Sequence, residues 1–183
     1  TPAQARAAVA SGVMGDLSIP TQQDIPAKSD DVNRNVRYAL FDTALFNIQL
    51  GGVMKVARTN VNSTYGLGTM LGYANGYMVF TLYGSFAPGA MADNLTSFGG
   101  MIFETSGHAD ALDFLNAGAT ASYGTVIEPC NYLEKFPTTM NHFYQARGFT
   151  IAECYYQSLT NPYQGVLVGE PLAAPFAQPG NGT

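Results

Sequence analysis

The sequence predicts an α/β fold, with a mainly parallel sheet flanked by helices on both faces. Three observations predict it. Residues 111–130, ALDFLNAGATASYGTVIEPC, read in succession as helix, tight turn, buried strand and polar loop. Helical stripes alternate with short apolar runs along the rest of the chain. The runs at 78–83, 119–127 and 165–169 have the length of strands, and about four strands are expected in all.

The helix in residues 111–130 rests on Leu112, Leu115 and Ala119 at helical spacing, and Gly118 stops it. The strand after it runs to Ile127 and ends at Glu128-Pro129-Cys130, where proline cannot continue a ladder. The C-terminal edge of such a strand is where ligands and chemistry sit in parallel sheets.

Upstream, Thr1 caps a first helix with Pro2 in its first turn, and Gly12 is the expected stop. Residues 13–30 lack a sustained period and read as a surface connection. Asp30 or Asp31 then caps a long helix over residues 31–50. Its stripe is Val32, Val36, Leu40, Ala44 and Ile48, and the glycine pair at 51 and 52 ends it. Residues 53–57 are a candidate strand, and 59–76, rich in Asn, Gly, Thr and Tyr, a loop with a short helix near Met70. The run MVFTLY at 78–83 is the most strand-like of the middle segment, and the Gly/Pro-broken stretch 86–107 comes after it. Two helices are expected at 138–146 and 150–159, the second capped by Thr150 with Glu153 three residues on. A last short strand centres on 166–168. Residues 1–176 form one domain, and the tail 177–183 is expected to be disordered.

A chain of 183 residues with 11% charged residues and 46% hydrophobic ones can bury a core without staples. The net charge is −5, and after Arg58 only Lys135 and Arg147 are basic. Such a surface repels phosphates, which excludes nucleic acid as a partner. No apolar run has the length of a transmembrane helix. The first residue is Thr rather than Met, which points to a processed, exported chain. Asn62, Asn94 and Asn181 each begin an N-x-S/T triplet, a pattern that also arises by chance.

Cys130 and Cys154 are the two cysteines, and His108 and His142 the two histidines. Their spacing fits no metal site, so neither a metal nor a cofactor is expected. The cysteines are candidates for a disulfide, for a nucleophile and a bystander, or for two buried thiols. A disulfide is chemically allowed in an exported protein.

The motifs PGAMADNLTSFGG, GATASYGTVIEPC and VGEPLAAPF, in that order, resemble an uncharacterised family of exported bacterial proteins with a caspase-like, gingipain-type region. The resemblance covers residues 38–176 and matches the C-terminal half of that fold. It implies a strand ending in His-Gly, a next strand ending in the catalytic Cys, a GA-x-A-x-x-G strand, and a closing helix and strand. Tyr83-Gly84 stands where His-Gly is expected, and the Thr96, Ser97 stretch where the Cys is expected. A phenol with a pKa near 10 is a poor base at neutral pH.

The catalytic dyad therefore reads as lost. The sheet also reads as incomplete, which suggests the C-terminal part of a larger precursor. Other protein subunits, or a cleaved N-terminal portion, would cover the open sheet edge. The expected function is a non-catalytic structural or interaction subunit in the periplasm or at the cell surface. The alternative is a secreted cysteine or serine peptidase using Cys130 or Ser97, with His108 or His142 as base. Small-ligand binding at the strand ends is a third reading.

Overall fold

In the computed structural model, which describes residues 1–178, helices α1 (Pro2–Gly15), α2 (Tyr38–Gly51), α3 (Ala111–Asn116), α4 (Met140–Ala146) and α5 (Ile151–Gln157) surround one sheet. Its strands are β1 (Gln23–Pro26), β2 (Lys55–Val56), β3 (Thr69–Asn75), β4 (Ser85–Asn94), β5 (Ala121–Thr125) and β6 (Gly165–Gly169). The strand order is β2-β1-β3-β4-β5-β6. All neighbours are parallel except β5 and β6, which are antiparallel.

The helices take both faces. On one, α1 and α3 pack together and against β4, where Phe114 of α3 meets Phe86 edge-on. On the other, α4 packs against α2 and α5, and Tyr155 of α5 stacks on Tyr123 of β5.

Among the described residues the sheet has six strands rather than about four. β1 lies within residues 13–30, which read as a surface connection. It sits between two parallel neighbours, buried from Asp24 to Pro26, so no polar alternation marks it. β3 occupies the place of the expected loop and short helix near Met70, and β4, from Ser85 on, runs into the stretch expected to be broken. Its Pro88 and Gly89 fall where the β3–β4 register shifts, and an irregularity is where a sheet accepts proline.

MVFTLY at 78–83 is not a strand. It belongs to the crossover between β3 and β4, two strands that pair directly with each other. Phe80 and Leu82 pack on the core, and the backbone finds no ladder.

The remaining differences are at helix ends. α1 continues past Gly12 to Gly15. Gly12 is a place of close approach, since a Cβ there would lie 2.4 Å from Glu170 Cγ. The long helix expected from residue 31 is a 3₁₀ turn over Val32–Arg34 and then α2. Val32 is exposed, and Arg37, just before α2, turns into the interior. Asp31 caps only the 3₁₀ turn, and α2 begins after Arg37 without a side-chain cap, whereas the caps read for the first and last helices are formed. Thr1 and Gln4 make a capping box on α1, and Thr150 and Glu153 make another on α5. Of the expected disordered tail, residues 179–183 lie outside the described residues.

Beyond β4 the chain crosses β5 at Gly99 and Gly100. Gly100 N–H donates to Thr125 O at 2.8 Å. A Cβ on Gly124 would lie 2.3 Å from the Gly99 carbonyl carbon, so only glycine permits this approach. Gly124→Ala sets backbone against backbone and should cost about 1–3 kcal/mol. Urea unfolding monitored by circular dichroism should show the midpoint falling with an unchanged slope.

Candidate functional site

The C-terminal ends of the parallel strands gather a polar cluster. β4 runs out through Leu95 into Thr96 and Ser97, both fully buried. Thr125 Oγ1 lies 2.9 Å from the carbonyls of both residues, its one proton shared between them. The chain here is held from the adjoining strand end.

The two hydroxyls point to different partners. Thr96 Oγ1 lies 2.6 Å from His108 Nδ1, and Arg34 Nε donates to the same oxygen at 3.3 Å. The hydroxyl donates to Nδ1 when the imidazole is protonated on Nε2, and accepts from Nδ1–H in the other tautomer. Burial first, and the Arg34 charge second, hold the His108 imidazole below its usual pKa, while Glu128 opposes them. Arg34 is itself paired with Asp31 at 2.6 Å. Ser97 Oγ donates to Glu128 Oε2 at 2.6 Å. The loop after β5 is anchored by Lys135, a buried residue whose amine donates to Ile127 O. Burial lowers the Lys135 pKa, against the raising effects of Glu128 and Cys130.

A hydroxyl on an imidazole resembles a nucleophile with its base. Thr96, however, lies under Arg34 and His108, and Ser97 has no imidazole. The residues at the end of β3 are Asn75 and Gly76. Tyr83, the candidate counterpart of a catalytic histidine, is at the other end of the sheet. It precedes the start of β4, exposed, with its ring edge-on to Tyr65.

Cys130 and Cys154 are free thiols, so the expected bridge is not formed. Cys154 is buried in α5, where its thiol points at Phe149 O and burial pushes its pKa up. Cys130 is half-buried in the loop after β5, beyond Glu128 and Pro129. His142 lies inside α4, fully buried, and meets neither cysteine nor Ser97 in any hydrogen bond.

No family model, curated protein or solved structure matches the chain.

A second constellation, which sequence reasoning missed, lies beneath α4. Arg37 donates to Asp93 at the end of β4, to Pro137 O at 3.0 Å and to Asn75 O at 2.7 Å. Asn141 of α4 reaches the other Asp93 oxygen at 3.4 Å. Beside them, Asp24 Oδ1 of β1 and His142 Nδ1 face each other at 3.4 Å. Between strand and helix lies Gly72 of β3, where a Cβ would lie 2.3 Å from Asp24 Oδ1 and 2.5 Å from His142 Cε1. Burial, with the neighbouring Asp93 charge, pushes Asp24 well above the carboxylate range. Burial and the Arg37 charge push His142 down to about 3. The available signal was an aspartate inside an apolar strand, as in the run AMADN of β4.

Among the described residues, no group of three or more His, Cys, Asp or Glu side chains could hold a metal ion.

The buried pair makes opposite contributions to stability against pH. A lowered histidine stabilises above its unfolded value of 6.5 and loses that contribution as pH falls toward about 3. A raised aspartate contributes below 3.8 and loses that contribution as pH rises through its folded value. Relative to the parent, Asp24→Asn should therefore steepen the loss of stability on acidification between 6.5 and 3.8. His142→Gln should instead steepen the loss on raising pH across the same interval. Urea midpoints measured across that range for the three proteins check both slopes.

The thiols give a separate expectation. Cys130 should react with a thiol reagent in the native protein, and Cys154 only after unfolding. Two equally protected sulfurs would point to a bridge instead.

Proposed function

We propose that this chain is a non-catalytic structural or interaction subunit of a larger periplasmic or cell-surface assembly, built on a caspase-like domain that has lost its dyad. The succession of β3, β4, the GATASYG strand β5, helices α4 and α5 and the closing β6 supports the resemblance read from the sequence. On that resemblance the His-Gly position, at the end of the strand before the nucleophile's, falls on Asn75-Gly76 rather than Tyr83-Gly84. An amide side chain has no basic lone pair with which to take a proton.

One observation carries the non-catalytic reading. Thr96 and Ser97, the hydroxyls nearest the nucleophile position, are fully buried, and both already hydrogen-bond to neighbouring side chains.

A second reading is a hydrolase, and the 2.6 Å contact between Thr96 and His108 favours it. In that reading Arg34 orients the hydroxyl and His108 takes its proton. Ser97 and Cys130 are the other nucleophile candidates.

The test is a broad panel of fluorogenic peptides, with an Arg- and Lys-directed set included. The chain should give no turnover above the background of a denatured control. Turnover lost in Thr96→Ala, Ser97→Ala, Cys130→Ala or His108→Ala, but kept in the surface variant Val61→Ser, would establish the hydrolase.

A further inference from the structure

One edge of the sheet is short and the other is open. β2, at the first edge, has only two residues. β6, at the second, has five and pairs with β5 alone. Val126 N–H donates to Gln164 O, and Glu170 N–H donates to Thr120 O. In an antiparallel ladder these bonds alternate, so residues 164, 166, 168 and 170 face β5. The N–H and C=O groups of Gly165, Leu167 and Gly169 therefore point away from the sheet, and no strand takes them among the described residues. The edge carries no charged residue, proline or bulge of the kind that guards exposed edges.

An apolar pocket of about 580 Å³ adjoins this edge. One wall is residues 100–104, which Gly99 and Gly100 bring down on Gly124, and the other includes Val166 and Val168. Phe103 on that wall is 96% exposed. The pocket's one charged wall residue is Glu104, and no lysine, arginine or histidine lines it. Glu170 comes directly after β6.

We propose that the outer edge of β6 and the pocket beside it receive an extended segment of a partner protein, bearing apolar side chains and a basic residue that pairs with Glu104. The proposal rests on reading the chain as an interaction subunit and names the surface it would use. The partner's backbone completes the ladder at Gly165, Leu167 and Gly169, and alternate side chains enter the pocket. The charge selects the partner. A second copy of this chain would bring the same acidic wall and a further net charge of −5, whereas a basic segment meets Glu104 with opposite sign.

The experiment uses the full chain and fluorescein-labelled peptides in which Val and Thr alternate between terminal lysines, with anisotropy as the readout. A matched peptide with N-methylated alternate amides and one ending in glutamates complete the set. Saturable binding of the lysine peptide is expected, about tenfold or more weaker for the other two. Glu104→Lys, on the surface of the folded chain, should reverse the charge preference. Amide exchange should protect Leu167 N–H only when peptide is bound.

The proposal is overturned if the folded chain does not bind the lysine peptide, or if N-methylation leaves binding unchanged. It is also overturned if the free chain sediments as a dimer with Leu167 N–H already protected, which would assign the edge to a second copy. Peptide turnover would overturn the non-catalytic reading and leave the edge proposal standing. Absent binding without turnover would overturn the edge proposal alone.

Discussion

The buried ion pair between Arg37 and Asp93 constrains the whole C-terminal end of the sheet. Both side chains are almost fully enclosed. Neither charge is tolerable there alone, and breaking such a pair typically costs ~3–5 kcal/mol because the partner is left uncompensated. Burial still raises the Asp93 pKa, although the Arg37 charge and hydrogen bond pull it down. The guanidinium spends its other donors on the carbonyls of Asn75 and Pro137. One side chain thus gathers the end of β3, the end of β4 and the segment leading into α4. It also fixes where α2 starts, because the chain must turn inward at Arg37 before the helix can run.

The course of the chain beyond β4 depends on this clamp. Leu95 N–H donates to Asn75 O, and Asn94 exchanges side-chain hydrogen bonds with the backbone of Tyr77. The chain leaves the sheet with its direction set. Thr125 then fixes the carbonyls of Thr96 and Ser97, and Gly99 and Gly100 lie on Gly124. The side chains of Thr96 and Ser97 have little choice of orientation, and each is held by polar neighbours. The same descent onto Gly124 builds one wall of the apolar pocket beside β6.

Legibility in the sequence tracked how local the cause was. Caps on α1 and α5, the stop at Gly118 and the strand β5 were readable, because each is decided within a few residues. β1 and β3 were not. Asp24, Gly72 and Asn75 are poor strand residues by propensity, and they are there because a polar cluster beneath α4 uses them. MVFTLY failed in the opposite direction, with high propensity and no available edge, since β3 and β4 pair with each other. Tyr83 inherited that error, because assigning 78–83 as a strand placed it at the wrong end of the sheet. Ser97, Thr96 and His108 were legible as candidates. Their partners were not, because Glu128 and Arg34 are separated from them by long stretches of chain.

The polar groups of this fold differ in what they are free to do. Asp24 and His142 are sealed between β1 and α4, and their titration bears on stability, since neither reaches solvent. Thr96 and Ser97 are buried as well, but their partners His108 and Glu128 lie nearer the surface, and the four are joined in pairs. A hydrogen bond to a charged group contributes about 1.5–3 kcal/mol, and chemistry at Ser97 would begin by giving up the bond to Glu128. Recognition through a strand edge has no such requirement. The outward amides of β6 are unpaired before binding among the described residues, and the pocket beside them is apolar with a single carboxylate, on Glu104. On these energetic grounds β6 and its pocket are better disposed to bind another chain than the strand ends are to transform a substrate.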